Sequence, residues 1–268
     1  MFIADVNAYA DDSAARWQGD VEFAALRFDY REYADTGKLL DREKGTLPGA
    51  VLGLARIEGN WSLNGRFSWH NGDVLYDGQT NTGIPVRSRT DEKILDTSVS
   101  LERRVGASAD AWPLAFYGGI GYRYWARDIR STSTASGQRV DGLFEIYRWR
   151  YFFLGGKTLL YRAGLSDWRL DLQLFRPMAP TIEVDYRGRG ENFTLDLGAR
   201  TGWRLALPWE YRLNQRAHFK IEPYMEGWEL GRSPTQTLMS NGVPAGTVYE
   251  PRSVTRNLGI NLGIRYFF

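Results

Sequence analysis

The sequence contains no cysteine, only two histidines and no long apolar run, and each scarcity excludes a class of protein. Without cysteine, a disulfide framework, a thiolate metal site and a cysteine nucleophile are excluded. With His70 and His218 alone, a histidine-based mechanism has few residues to use. No apolar run approaches the roughly 18 residues of a membrane-spanning helix, and the mean hydropathy is −0.42. The chain is therefore not a helical membrane protein.

Charge and aromatic content indicate a folded protein without a nucleic-acid partner. The 268 residues include 34 basic and 32 acidic side chains, which leave a net charge of +2. This near balance excludes a polybasic nucleic-acid arm. The 43% hydrophobic and 14% aromatic content exceeds that of a disordered chain. A membrane-spanning β-barrel is compatible with the polar average, because apolar and polar residues alternate along its strands.

Long segments with a period of two run through most of the chain. In residues 193–207, for example, Leu195, Leu197, Trp203 and Leu205 share one face, and polar residues share the other. A tilted transmembrane strand needs roughly 9–11 residues. Ten segments are long enough to be such strands: 21–35, 49–57, 61–76, 94–105, 114–128, 143–162, 168–185, 193–207, 218–230 and 253–268.

Short connections alternate with longer ones rich in glycine, serine, threonine and aspartate, as in barrels with short periplasmic turns and longer extracellular loops. We therefore predict an all-β fold, a transmembrane antiparallel up-and-down β-barrel of ten strands over residues 21–268. A soluble sandwich also alternates, but it does not need strands of this length. Twelve strands are the alternative, in which Gly155-Gly156 and Pro177 with Pro180 each end a strand.

The alternation continues to the last residue of the chain. Asn261, Gly263, Tyr266 and Phe268 resemble the C-terminal assembly signal of bacterial outer-membrane β-barrels. The resemblance implies a location in the bacterial outer membrane. It also implies outer-membrane lipid and the barrel-assembly machinery as partners.

With the apolar faces turned to lipid, the opposite faces supply the lumen. A ten-stranded barrel is narrow, so we expect long charged side chains to interlock and fill most of it. Basic groups outnumber acidic ones in this assignment, which leaves passage of anions as a second interpretation. The predicted lumen-lining residues are Arg27, Arg66, Arg123, Arg127, Arg148, Arg150, Arg169, Arg200, Arg204, Glu222 and Glu226.

Residues 1–20 form an acidic segment ahead of the first predicted strand. The segment carries four aspartates against one arginine. We expect a periplasmic segment that is a mobile tail, and the alternative hypothesis is that it plugs the basic lumen.

No catalytic set is apparent in the sequence. The architecture is similar to that of the ten-stranded omptin surface proteases, which use an Asp-His pair facing an Asp-Asp pair at the outer rim. No histidine falls in a predicted extracellular loop of this chain. Outer-membrane phospholipases need serine and histidine. Ser68 and His70 lie two apart on one strand face, but without the His-x-Ser-Asn order of that family. We expect no enzyme activity, no bound metal and no cofactor.

Two of the predicted loops carry apolar pairs. Residues 36–48 contain Leu39-Leu40, and residues 231–252 contain Val248-Tyr249. Such pairs suit contact with another envelope protein, and packing over the barrel mouth is the alternative. We predict a non-enzymatic barrel that is a structural or interaction component of the cell envelope, with a largely filled, Arg-rich lumen. A narrow anion-preferring channel is the alternative, and a surface hydrolase is the least favoured function.

Overall fold

Ten long strands form the wall of a closed barrel. The structure is a computed structural model that describes residues 15–80, 82–105, 114–188, 192–240 and 243–268. One wall strand, β8, is broken into four segments. The strands are β1 (Arg16–Tyr33), β2 (Leu39–Glu58), β3 (Trp61–Gln79), β4 (Pro85–Val105), β5 (Leu114–Ile129), β6 (Phe144–Ala163), β7 (Ser166–Asp185), β8 (Phe193–Asp196, Gly198–Ala199, Gly202–Ala206 and Trp209–Arg212), β9 (Ala217–Gly231) and β10 (Arg252–Phe267).

Each strand pairs antiparallel with its neighbours in sequence, and β10 pairs with β1 to close the barrel. The prediction of an all-β, ten-stranded, up-and-down barrel is confirmed. The twelve-strand alternative is wrong, because Gly155-Gly156 lies inside β6 and both prolines lie inside β7. A register shift between β6 and β7 beside Arg148 and Arg150 and a positive φ of 44° at Ala179 accommodate the prolines.

The strands extend well beyond the predicted segments at one end of the barrel. Residues 36–48 were predicted as a loop, but β2 begins at Leu39, so most of that range is strand. The opposite end has tight turns, with positive φ at Gly59 and Gly164. The range 231–252 does contain a connection, which carries a hairpin of Gln236–Ser240 and Val243–Val248. Among the described residues, no helix is long and apolar enough to cross a membrane.

The first strand begins at Arg16, so residues 16–20 of the predicted N-terminal segment are part of the barrel wall. Asp20, for example, pairs with Gly53 of β2 and Arg265 of β10. The rest of that segment, residues 1–14, lies outside the described residues.

An apolar belt surrounds the half of the barrel that carries the tight turns, here named the membrane half. Phe23 is 80% exposed and Leu154 is 68% exposed, values that only a lipid environment accommodates for so many apolar side chains. Tyr266 and Phe268 stay exposed at the turn end of the belt. The belt includes Val21, Phe23, Leu52, Leu54, Leu63, Phe67, Val99, Leu101, Phe116, Ile120, Phe152, Leu154, Leu172, Leu174, Leu258 and Ile260.

Beyond the belt, in what we name the outer half, the apolar face changes sides. In β1, Val21 and Phe23 point outward, whereas Leu26, Phe28 and Tyr30 are buried inside the barrel. The pairing of β1 with β2 runs without a register shift from Arg16 to Glu32, so no bulge causes the change. The outer half stands in water on the outside and packs a hydrophobic core on the inside.

Candidate functional site: the lumen and its outer closure

A polar cavity of about 240 Å³ occupies the lumen of the membrane half. Its wall carries as many basic as acidic side chains, so the charges balance. The basic residues are Arg66, Arg123, Lys157, Arg169, Arg204, Lys220 and Arg265, and the acidic residues are Asp20, Glu22, Asp96, Asp171, Glu210, Glu222 and Glu226.

Ion pairs between strands neutralise these groups. Arg204 donates to Glu222 at 2.6 Å, and Lys220 donates to Glu22 at 2.8 Å. The pair of Arg265 and Asp20, at 2.8 Å, joins the last strand to the first. Charge-assisted hydrogen bonds of this kind are directional and specify one register. The network therefore holds the barrel closed in a single alignment.

The structure places the predicted lumen residues on both sides of the wall. Arg66, Arg123, Arg127, Arg169, Arg204, Glu222 and Glu226 face the interior. As a correction, Arg27, Arg148, Arg150 and Arg200 face outward. The first three lie in the outer half, where the apolar face is the interior one, so the assumption that apolar faces turn to lipid assigns them to the wrong side. In β8 the strand is interrupted before Gly202, and the set of alternate residues that faces inward changes there. Leu195 and Leu197 are buried on the inner side, and Arg200 lies on the outside.

The buried interior is acidic, which corrects the expectation of an Arg-rich lumen. Carboxylates outnumber basic groups among the buried charged residues of the described chain. The basic members are Arg123, Arg127 and Lys220, and the acidic members are Glu22, Glu32, Asp41, Glu43, Glu92, Glu145, Asp167, Glu210, Glu222, Glu226 and Glu250. The sequence does indicate one of the acidic residues that the prediction left out. Glu32 of β1 continues the every-second-residue spacing of Phe28 and Tyr30 and therefore lies on the same face.

An aromatic layer closes the lumen just outside the cavity. It consists of Trp125, Tyr147, Trp149 and Trp228, which are 0%, 0%, 2% and 3% exposed. The ring centroids of Trp125 and Tyr147 are 4.5 Å apart, and Trp228 lies 6.3 Å from both Trp125 and Trp149. The guanidinium of Arg123 lies 4.4 Å from the Trp228 ring centroid, within cation–π range. These side chains come from the wall strands and fill the centre of the barrel.

Arg127 lies at the centre of a group of buried carboxylates in the outer half. Its Nη1 donates to Glu145 at 2.7 Å and to Glu32 at 3.2 Å, and its Nε donates to Glu43 at 3.2 Å. Its guanidinium also lies 4.3 Å from the Tyr30 ring centroid. We name as the Arg127 cluster this arginine and the acidic side chains around it: Glu32, Asp41, Glu43, Glu92, Glu145 and Glu250.

Aromatic donors satisfy part of this acidic surplus. Tyr147 donates its hydroxyl hydrogen to Glu250 at 2.6 Å, and the Trp125 indole donates to Glu92 at 2.5 Å. Asp41 Oδ1 and Glu92 Oε1 are nevertheless buried without a hydrogen-bond partner in the described structure. Unpaired buried oxygens of this kind are costly, most of all when they carry charge.

Burial changes the pKa values of the acidic side chains in the Arg127 cluster. Burial raises the pKa of Glu145 to about 7 and raises the pKa values of Glu92 and Glu250 well above their usual range. Burial acts on Glu43 in the same direction, but the neighbouring Arg127 outweighs it and lowers the pKa of that carboxyl. One guanidinium cannot stabilise every carboxylate around it, so the pKa values of the remaining carboxyls are raised.

The two histidines lie in the membrane half. Ser68 and His70 both line the cavity, and no hydrogen bond joins them in the described part of the chain. His218 lies near the turn end, with Nδ1 3.7 Å from Glu210 and its ring packed on Phe267. The described residues contain no group of three or more histidine, aspartate or glutamate side chains arranged to hold a metal ion.

The residues of the C-terminal motif lie on both faces of β10. Asn261 is buried and donates to Glu222 at 3.1 Å. Gly263 lies where β10 passes closest to Val21 of β1. Tyr266 and Phe268 contact each other on the outer surface, with ring centroids 5.1 Å apart.

Comparison with known proteins supports the fold. The sequence matches no known protein family and no curated protein. The outer membrane protease OmpT from Escherichia coli is similar in structure, with a TM-score of 0.61 at 13% identity over 94% of this chain and 97% of that chain. The transport unit of the autotransporter AIDA-I from Escherichia coli has a TM-score of 0.42 at 8% identity, over 97% and 93% of the two chains. The outer membrane protein OprG from Pseudomonas aeruginosa has a TM-score of 0.40 at 11% identity, over 96% and 97%.

Proposed function

We propose that this bacterial outer-membrane β-barrel is a non-conducting, non-enzymatic component of the cell envelope that acts through its outer wall and its connections. The observation that carries the proposal is the aromatic layer. Trp125, Trp149 and Trp228 are buried across the centre of the barrel, and they leave no room for a hydrated ion. A solute that enters the polar cavity from the turn end meets this layer.

The ion pairs of the cavity support the same function. Arg204 and Arg265 are bonded to carboxylates of neighbouring strands rather than presented to a passing solute. An anion-selective pore needs uncompensated positive charge along its path. The balanced cavity supports a structural role for these charges.

The position of the histidines supports a non-enzymatic role. His70 is 5% exposed inside the membrane half. A substrate arriving at the outer mouth would have to cross both the Arg127 cluster and the aromatic layer to reach it.

The outer wall offers a surface for lipid headgroups. Basic side chains without an ion pair in the described part of the chain stand on the outside, close to the outer edge of the apolar belt. Cations at this height would meet phosphate groups of the outer leaflet, and such pairs are charge-assisted. These side chains are Arg27, Lys93, Arg150, Arg176 and Arg256. The connection between β9 and β10, with the exposed Val243 and Tyr249, is the surface we assign to another envelope protein.

Conductance in planar bilayers tests the main proposal. We expect the wild-type protein, added at pH 6 to 7, to give no unitary current steps at any voltage. A Trp125→Ala/Trp149→Ala variant, shown to be folded by heat-modifiable gel mobility, serves as the matched control and should conduct. Regular current steps from the wild type would overturn the proposal.

The non-enzymatic part is tested with peptide and phospholipid substrates. We expect the wild type and a His70→Ala variant to give the same background signal. Turnover by the wild type that is lost in His70→Ala would show that the protein is a hydrolase.

A narrow channel is the second candidate, and the cavity of about 240 Å³ is the observation that favours it. The acidic interior makes such a channel cation-preferring, in contrast to the anion preference expected from the sequence.

A further inference from the structure

Glu250 ties the connection between β9 and β10 to the interior of the barrel. The residue is 8% exposed and lies two positions before β10. Its carboxylate accepts the Tyr147 hydroxyl at 2.6 Å. Its backbone N–H donates to Ser233 Oγ at 2.8 Å, and the Ser233 N–H donates to the Glu250 carbonyl at 3.0 Å. The two ends of the connection therefore meet at one buried residue, through its backbone.

The described residues of the rest of the connection make few other contacts with the wall. Val248 packs against the hydrophobic core, and the Gln236 side chain donates to the Thr194 carbonyl at 3.2 Å. Arg232, at the other end, lies 3.3 Å from the exposed Asp35. An exposed ion pair and an exposed hydrogen bond stabilise little. Glu250 and Ser233 are the buried residues in the described part of the connection, and Glu250 is the one of the two that can ionise.

The charges that face Glu250 are mostly of its own sign. Arg127 donates hydrogen bonds to Glu32, Glu43 and Glu145 and to the hydroxyls of Tyr30 and Tyr147. The partner described for the Glu250 carboxyl is the neutral Tyr147. The titratable groups described as interacting with Glu250 are Tyr30 and Glu32 of β1, Arg127 of β5, and Glu145 and Tyr147 of β6. The other members of the Arg127 cluster are Asp41 and Glu43 of β2 and Glu92 of β4, and Tyr76 of β3 interacts with Asp41. In the connection itself, Arg232 precedes Ser233.

We infer that docking of residues 232–251 on the outer mouth is proton-dependent: the connection is docked while Glu250 is neutral and is released when Glu250 ionises. A neutral carboxyl keeps its hydrogen bond with Tyr147 and feels no repulsion from Glu32 and Glu145. An ionised carboxyl in the same place is a buried charge with no described ion pair, because Arg127 donates to other carboxylates, and it regains hydration by leaving.

The direction of the pKa agrees with this geometry. Burial first, and then the nearby Glu32 and Glu145, raise the pKa of Glu250 well above its usual range. Release therefore occurs at a higher pH than the usual titration range of a glutamate. The consequence is an extracellular connection whose accessibility to a partner depends on pH.

The experiment uses the absence of cysteine from the chain. A Val243→Cys variant of the full-length protein, carrying a nitroxide label in lipid bilayers, reports the mobility of the hairpin by electron paramagnetic resonance. Ala135→Cys, on the connection between β5 and β6, is the matched control label. We expect the Val243 label to change from mainly immobile at pH 5 to mainly mobile at pH 9, and the control label to keep its spectrum.

A Glu250→Gln substitution in the Val243→Cys background separates the proposal from a general loosening of the barrel. Glutamine keeps the shape and can accept the Tyr147 hydrogen bond, but it cannot ionise. We expect its label to stay immobile from pH 5 to pH 9. A Val243 label insensitive to pH in the wild-type background, or the same pH response with Glu250→Gln, would overturn the inference. Neither result bears on the closed lumen, which the bilayer currents test separately.

Discussion

Arg127 of β5 and Glu145 of β6 are directly paired across the strands, and their side chains meet at 2.7 Å in an interior closed to solvent. Arg127 is 1% exposed and Glu145 is 6% exposed. The pair lies outside the apolar belt, so neither lipid nor water surrounds it. A buried pair of this kind depends on the geometry of its neighbours for most of its stability. It makes the outer half of the barrel sensitive to mutation and to pH.

Replacing Arg127 should destabilise the outer half strongly. An Arg127→Met substitution keeps much of the volume but leaves Glu32, Glu43 and Glu145 without their cation. We expect a loss of about 3–5 kcal/mol at pH 8, the usual effect of breaking a buried pair, measured by urea unfolding in detergent micelles. The control is Arg130→Met, which removes an exposed pair with Asp91 and should leave the unfolding midpoint near that of the wild type. Equal midpoints for the two variants would contradict a central role for Arg127.

Stability should fall as the pH rises through neutrality. Burial raises the pKa of Glu145 to about 7 from an ordinary value of 4.5. A raised carboxyl pKa stabilises the folded state in full below the ordinary value, and this contribution is lost as the pH passes the folded value. We expect a lower urea midpoint at pH 8 than at pH 5, because the free energy of unfolding falls by on the order of 3 kcal/mol at most. Glu43, with its lowered pKa, acts in the opposite direction, and only below pH of about 4.5.

A Glu145→Gln substitution checks the source of that pH dependence. We expect the difference between the midpoints at pH 5 and pH 8 to shrink, because glutamine does not titrate. An unchanged difference would assign the effect to other groups of the Arg127 cluster.

A barrel opened by mutation should prefer cations. In the Trp125→Ala/Trp149→Ala variant the path crosses the acidic Arg127 cluster and the balanced cavity. Rings of carboxylates favour cations, so the reversal potential in a potassium chloride gradient should have the sign of potassium selectivity. Chloride selectivity would restore the interpretation of the lumen as Arg-rich.

Closure of the barrel should depend on the absence of a side chain at Gly263. A Cβ there would lie 2.0 Å from the Val21 carbonyl oxygen and 2.6 Å from the Glu22 Cα, so β1 and β10 would have to move apart. We expect Gly263→Ala to cost about 1–3 kcal/mol by overpacking and to weaken heat-modifiable gel mobility. At Gly156 the nearest atom to a Cβ is 3.6 Å away, so Gly156→Ala is the matched control and should behave as wild type. Normal mobility of Gly263→Ala would refute the steric argument.

Periodicity was sufficient to predict the strands, because a period of two exposes alternate residues to two different environments. The turns were also readable, since Gly59 and Gly164 stand between such segments. The length of the wall beyond the belt was harder to predict. Residues such as Thr46 and Asp91 suit a loop in sequence, and only pairing with β1 and β5 makes them strand.

The candidate site was predicted well in the membrane half and poorly in the outer half. Arg66, Arg204 and Glu222 face the lumen as expected, because there the lipid marks the apolar face as the outside. Arg27 and Arg150 share the same period, but at their height water replaces lipid outside the wall. Apolar and charged residues alternate in both halves. In the membrane half these charged residues face the lumen, whereas in the outer half Arg27 and Arg150 face the outside.

The sequence by itself determined a β-barrel of ten long strands, without cysteine chemistry and without an evident catalytic set. Tertiary structure alone decided which face of each strand is interior at each height. In the membrane half the surroundings are lipid, and the apolar residues face outward. In the outer half the surroundings are water, and the apolar residues pack inside as a core. That change of sides brings Glu32, Glu145 and Glu250 together around Arg127, although they are far apart in the chain. No local sequence pattern predicts that these residues lie close together, because their proximity arises from the closure of the barrel.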